Sequence, residues 1–258
     1  MEGVDRTYLL YVPASYRGEA PAAIVFDFHG FGSSAAQQIA YGNFRPLADR
    51  DGFIVVAPDG QGMPRHFTLL GPGPGEVDDV TMTLALLDHL EATLCVDAGR
   101  VYGAGMSNGG AFSAILACRA ADRFSAVAAV AAVVLLPGCA GRPVPVVAFQ
   151  GTADPIVPFG GGTVRCCGSP QIPAASDTMQ QWADHDGCAA PTESHPSPSI
   201  TQRAWGGCTD GADVVFYVVD GGGHTWPGSA FDVAALGATT KEIDASDTIW
   251  TFFKAHAR

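Results

Sequence analysis

The stretch Val101-Tyr102-Gly103-Ala104-Gly105-Met106-Ser107-Asn108-Gly109-Gly110 reads as a β-strand that hands over within one turn to an α-helix. Val101 to Ala104 is a short apolar run, and Asn108 to Ala120 has the pattern of a helix. Between them, a glycine stands two residues to either side of Ser107. A turn this sharp forces the flanking backbone against its neighbours, and a residue without Cβ is what passes there. Ser107 is thereby set at the carboxyl end of a strand, over a helix N-terminus whose unpaired N–H groups favour developing negative charge. The stretch predicts a nucleophilic serine held on a strand-to-helix elbow.

Working outward, the same unit recurs. Ala22 to Phe28 runs into His29-Gly30-Phe31-Gly32, and Phe53 to Ala57 into Pro58-Asp59-Gly60. Ser125 to Leu135 follows, then Val144 to Phe149 before Gly151-Thr152-Ala153-Asp154, and Val214 to Val219 before Asp220-Gly221. Apolar runs without alternation suit strands buried on both faces, as in a parallel sheet covered by helices. Helices are expected from a cap at Asp79 to about Leu94, over Asn108 to Ala120, Asp177 to Asp186 and Ile243 to His256. The expected fold is α/β, a mostly parallel central sheet flanked by helices, in one domain over residues 1–258. The Gly- and Pro-rich segments Gly60 to Val77 and Phe159 to Ser176 are expected to shape a cleft, and Pro191 to Ser199 reads as a loop.

Composition narrows the function classes. The 258 residues are 47% hydrophobic and 16% charged, with a net charge of −12, which disfavours nucleic acid and anionic membrane surfaces and suits a neutral substrate. The longest apolar run, Ala126 to Leu136, falls short of the ~20 residues that cross a bilayer. Met1-Glu2-Gly3 leads almost directly into a strand-like Arg6 to Val12, so the protein is either cytosolic or exported on a leader that the sequence lacks. None of the seven cysteines falls in a metal-binding spacing. A Cys188–Cys208 disulfide is expected, worth about 3 kcal/mol for a loop of that length. Two of Cys95, Cys118 and Cys139 can pair, and Cys166-Cys167 forms either a vicinal bridge or two separate bonds; seven reduced, buried thiols are the alternative.

A serine hydroxyl needs a base, and the base an orienting group. His224 follows a strand and lies in Gly221-Gly222-Gly223-His224-Thr225-Trp226-Pro227-Gly228, whereas His66, His89, His185, His195 and His256 read as solvated. Asp154 closes another strand end, ahead of the rivals Asp177, Asp184 and Asp186. The order Ser107, Asp154, His224 is that of the α/β-hydrolases. The backbone N–H groups of Asn108 and Phe31 are the expected oxyanion donors. Phe31 and Trp226 are the expected apolar substrate contacts, and His29, next to Gly30, is assigned to ordering its loop.

Together, His29-Gly30-Phe31, Pro58-Asp59-Gly60, Asp78-Asp79-Val80, Gly105-Met106-Ser107-Asn108-Gly109-Gly110, Gly151-Thr152-Ala153-Asp154-Pro155 and Gly222-Gly223-His224-Thr225-Trp226-Pro227-Gly228 resemble the secreted polyhydroxybutyrate depolymerase-like esterases, kin of microbial feruloyl and acetylxylan esterases. The resemblance implies an extracellular serine ester hydrolase with nucleophile Ser107, base His224 and acid Asp154, acting on polymer-borne esters such as polyhydroxyalkanoate or another polyester. Feruloyl or acetylxylan ester hydrolysis is the alternative; a serine peptidase or a non-catalytic polymer-binding relative stands further off. The chain departs from the family before Asp78, where His66-Phe67-Thr68-Leu69-Leu70-Gly71 stands in place of a segment with Trp, and no separate polymer-binding domain is expected after the catalytic one. No metal and no cofactor is called for, and a monomer acting on a polymeric or small ester is expected.

Overall fold

A buried apolar run must have its backbone N–H and C=O groups paired, and the computed structural model of this chain pairs the short runs as strands of one sheet. It describes residues 5–258; residues 1–4, with the expected leaderless start, lie outside the description. In chain order the elements are β1 (Tyr8–Tyr11), β2 (Ala22–Phe28), α1 (Ala35–Gly42), α2 (Arg45–Asp51), β3 (Ile54–Pro58), α3 (Asp79–Thr93), β4 (Val96–Met106), α4 (Asn108–Arg119), β5 (Ala126–Val130), β6 (Val146–Gly151), β7 (Gly162–Thr163), β8 (Gln171–Ile172), α5 (Ala175–His185), β9 (Thr192–Ser197), β10 (Ile200–Trp205), β11 (Val214–Val219) and α6 (Ala245–Ala255).

Nine strands form one sheet in the order β1-β3-β2-β4-β5-β6-β11-β10-β9. The six central strands from β3 to β11 are parallel, while β1 at one edge and β10 and β9 at the other pair antiparallel. Each central strand divides its side chains between two cores. On β2, Ile24, Phe26 and Phe28 belong to the core that also holds Phe112 of α4, Leu87 of α3 and Trp182 of α5, whereas Ala23 and Val25 belong to the core with Ala48 of α2 and Trp250 and Phe253 of α6. Burying each such phenylalanine contributes about 2 to 3 kcal/mol, so the two-sided burial that the apolar runs foretold is also the main source of stability. The chain steps outward from β2 to β3 and then back past β2 to β4. The carboxyl ends of β2 and β4 therefore flank the point where the winding reverses, where open α/β sheets leave a crevice.

The structure corrects several local expectations. Asp78, not Asp79, caps α3, its carboxylate accepting from the Thr81 N–H at 3.2 Å. Asp79 is fully buried and instead accepts from Arg6 at 2.7 Å, the Thr68 N–H at 2.7 Å and the Gln61 amide at 2.9 Å, which ties the 60–77 loop to the sheet edge. The apolar run after Ser125 stops being a strand at Val130; Ala131 turns with φ 57°, and Val133 to Leu136 pack against the helical layer. Much of the expected loop from Pro191 to Ser199 is the edge strand β9. Its exposed polar side chains carry no strand signal, and main-chain pairing with β10 holds it. His185 and His256 are not solvated: His185 lies 2.6 Å from Asp186 and 3.1 Å from the Cys139 carbonyl, and His256 3.3 Å from Asp213.

Three disulfides form, Cys118–Cys139, Cys166–Cys167 and Cys188–Cys208, leaving Cys95 as a free thiol; these bridges replace the alternative of seven reduced cysteines. Among the described residues, no helix is long and apolar enough to cross a membrane.

One buried carboxyl sits at a cost. Asp27, on β2, is fully buried; its Oδ1 accepts from the Gln38 amide at 2.7 Å and its Oδ2 has no partner. Burial pushes this carboxyl up to about 8, opposed in part by the Gln38 hydrogen bond. The unfolded chain releases that proton near 3.8, so this group's contribution to stability is complete below about pH 4 and is lost as pH rises towards 8. Asp27→Asn keeps an acceptor for Gln38 and removes the titration. Urea unfolding at pH 5 and pH 8 should show the variant gaining on the parent, with the larger gain at pH 8; an equal difference at both pH values contradicts the assignment.

Candidate active site

The elbow is built from missing side chains. A Cβ on Gly109 would stand 2.1 Å from the Phe28 carbonyl oxygen, and one on Gly105 2.5 Å from the Gly109 backbone, so β2, β4 and the first turn of α4 close to a separation that only glycine allows. Ser107 bridges them with φ 55° and ψ −119°, a region that non-glycine residues rarely adopt, and its N–H is fixed to the Val130 carbonyl at 2.8 Å. That backbone turns the Ser107 side chain into a cavity of about 470 Å³, which His224 also lines.

Asp154 follows β6 and His224 follows β11, parallel neighbours in the sheet. His224 Nδ1 donates to Asp154 Oδ2 at 2.8 Å, both side chains being almost wholly buried. Three further donors fill the carboxylate: the N–H groups of Ile156 and Val157 reach Oδ1 at 2.8 Å each, and the Gln150 amide reaches Oδ2 at 2.9 Å. Four donors on two oxygens match the acceptor capacity of an ionised carboxylate, and they leave His224 Nε2 as the imidazole's free acceptor. Ser107 Oγ and His224 make no hydrogen bond within 3.5 Å in this state. Such bonds commonly tighten only when substrate is bound. Gln150 was not anticipated from sequence, although a lone amide at the end of Val146-Val147-Ala148-Phe149 was its visible signal.

Phe31 lines the cavity beside Ser107, and Asn108 follows Ser107 directly in the chain. Asn108 is the first residue of α4, so its N–H has no acceptor within the helix. On the β2 side, Gly32 N–H is spent on the Arg65 carbonyl and Ser33 N–H on the Gly30 carbonyl, whereas the Phe31 N–H has no acceptor among the described residues. His29 is fully buried and used on both nitrogens: Nε2 accepts from the Gly60 N–H at 2.8 Å, so Nδ1 carries the hydrogen and donates to the Gly30 carbonyl at 2.7 Å. Burial also pushes this imidazole below its ordinary value. His29 therefore orders the loop. The Asn108 side chain adds a latch, pairing with both the N–H and the carbonyl of Phe67, at 2.8 and 3.0 Å.

Trp226, expected as an apolar substrate contact, does not line this cavity. It is 1% exposed, packs edge-on to Phe44 and donates to the Ser246 hydroxyl at 2.9 Å, because the Ala245 N–H binds the Pro227 carbonyl and docks this loop on α6. Phe31 does line the cavity, and its other walls come from Tyr41, Phe231, Leu236 and the Cys166–Cys167 pair. The 60–77 loop supports from behind: His66 packs on the Phe31 ring, 5.7 Å between centroids.

The family model described as esterase PHB depolymerase matches residues 6–175. Feruloyl esterase B of Piromyces equi is 29% identical over 228 residues; the match covers 85% of this chain but only 42% of that protein. NocK of Nocardia uniformis subsp. tsuyamanensis is 30% identical over 278 residues, covering 97% of this chain and 79% of that one. Among solved structures, the acetyl xylan esterase from Aspergillus awamori superposes with a TM-score of 0.71 at 14% identity, covering 96% and 93% of the two chains, a likeness of fold.

The elbow makes a direct prediction. Gly109→Ala should destabilise the protein by about 3 kcal/mol or more, because the clash is with backbone that cannot rotate away. Urea unfolding of the variant beside the parent measures it, and a loss under 1 kcal/mol (about a fivefold change in the folding equilibrium) shows that the gap can open.

Proposed function

The chain belongs to the esterase PHB depolymerase family, and we propose that it is a carboxylic ester hydrolase working through Ser107, His224 and Asp154. The observation that carries this reading is the buried His224–Asp154 hydrogen bond of 2.8 Å, which orients one imidazole nitrogen by a carboxylate and leaves the other for the cavity that holds Ser107. In the proposed cycle His224 Nε2 takes the Ser107 proton as Oγ attacks the ester carbonyl. The amides of Asn108 and Phe31 donate to the oxyanion, and His224 returns the proton to the departing alcohol. Water, deprotonated by the same imidazole, then releases the acyl group. Asp154 fixes the imidazole tautomer and stabilises its charged form during each transfer.

The substrates we propose are esters borne on a polymer. A cavity of about 470 Å³ walled by Phe31, Tyr41 and Phe231 suits an aromatic acyl group, and feruloyl esterases are among the similar proteins, which favours feruloyl esters of plant cell-wall polysaccharide over polyester. Three disulfides support action outside the reducing cytosol.

Rates on methyl ferulate, acetylated xylan, a polyhydroxybutyrate film and an aromatic polyester film test the substrate class. The feruloyl ester should have the highest kcat/KM, and faster release from either film returns the reading to a polyesterase. On the best substrate, Ser107→Ala should lower kcat by about 10⁶-fold and Asp154→Asn by about 10⁴-fold, with the fold intact by circular dichroism. Turnover retained by Ser107→Ala excludes the mechanism.

A further inference from the structure

Two of the disulfides join residues 21 and 20 positions apart and so restrict the unfolded chain; the third joins neighbours, Cys166 and Cys167, and closes almost no loop. Cross-linking does not account for it. Its position suggests another use, since both cysteines line the cavity that holds Ser107 and His224.

The pair sits at the tip of the small hairpin made by β7 and β8. The hairpin hangs from the turn that holds Asp154: Arg165 N–H donates to the Ile156 carbonyl at 2.9 Å, and the Ile156 N–H donates in turn to Asp154 Oδ1. Val164, buried, donates its N–H to the Pro170 carbonyl, and Ser169 N–H returns to the Cys166 carbonyl, closing the tip. Cys167 has φ 57°, which an ordinary side chain avoids; the covalent ring between adjacent residues holds it there. The result is a fixed wall with two polarizable sulfurs, neither of which donates a hydrogen bond, in the same cavity as the aromatic rings of Phe31 and Tyr41.

We propose that the Cys166–Cys167 disulfide is a specificity-determining wall of the cavity, against which the ring of an aromatic acyl group lies. This rests on the ester-hydrolase reading above. The acyl side is the one enclosed, because the alcohol of a polymer-borne ester belongs to a chain that a cavity of about 470 Å³ cannot take in. Sulfur favours contact with an aromatic ring over an aliphatic chain, so the wall separates the two classes by KM and leaves the chemical step alone.

The test compares methyl cinnamate with methyl butyrate, which share a leaving group, in the parent and in two double variants. Cys166→Ser/Cys167→Ser removes both the ring and its sulfurs, and Cys166→Ser/Cys167→Gly does the same while allowing the positive φ. In both, KM for methyl cinnamate should rise about tenfold and KM for methyl butyrate far less, so that the preference for the aromatic ester drops several-fold. Equal changes on the two esters, no change, or a parental cinnamate KM in the glycine variant overturns the proposal. Should neither variant fold, competitive inhibition of the parent decides: cinnamate should bind about fivefold more tightly than octanoate, and equal inhibition overturns it. A parent enzyme that hydrolyses neither ester defeats the ester-hydrolase reading instead.

Discussion

The carboxyl end of β2 and the first turn of α4 approach until the Phe28 carbonyl lies where a Gly109 Cβ would be. Most of the site follows from that contact. It pulls the start of α4 across the top of the sheet, so that the residue joining β4 to the helix must adopt a positive φ, and Ser107 does. It also sets the loop after β2, which bears Phe31, beside the N-terminus of the helix that begins at Asn108. The contact stands on the paired register of Phe28 with Gly105, and the sheet therefore defines the separation before any side chain takes part.

Around this steric core, the polar groups leave one another no choice of arrangement. Asp154 has four donors for its two oxygens, and His29 has a donor and an acceptor for its two nitrogens. The Asn108 amide is spent on both backbone groups of Phe67. A network satisfied at every member has one low-energy geometry, which keeps the imidazole and the two free amides where they stand without substrate. Asp27 is the exception among the buried acids of β2 and its surroundings. Burial away from water, with one oxygen unpartnered, makes neutrality its stable state, next to the Gln38 that borders the cavity.

What could be read from the sequence was whatever depends on short-range pattern. The elbow around Ser107, the β2 and β11 runs and the strand ends bearing Asp154 and His224 each declare themselves within about ten residues, because burial on both faces and close backbone approach leave a local composition. Elements held by partners far along the chain were silent. β9 is polar along its length and is a strand because β10 lies beside it; Trp226 turns inward because α6 receives it; Asp79 pairs with Arg6 across the fold. The cavity walls were hidden for the same reason, since Tyr41, Phe231 and Cys167 meet only after three separate connections have folded back over the sheet.

Those walls have a common origin. Tyr41 belongs to α1, Phe231 and Leu236 to the connection between β11 and α6, and the sulfur pair to the β7–β8 hairpin, all of them excursions outside the central sheet. The groups assigned to the chemistry lie instead where strands end. Selectivity and reactivity are thus carried by different stretches of chain, joined at few points, so that lengthening or replacing an excursion changes what is admitted while the elbow and the carboxylate shell keep their shape. An inherited scaffold of this kind can be retuned to new esters piecemeal, one connection at a time.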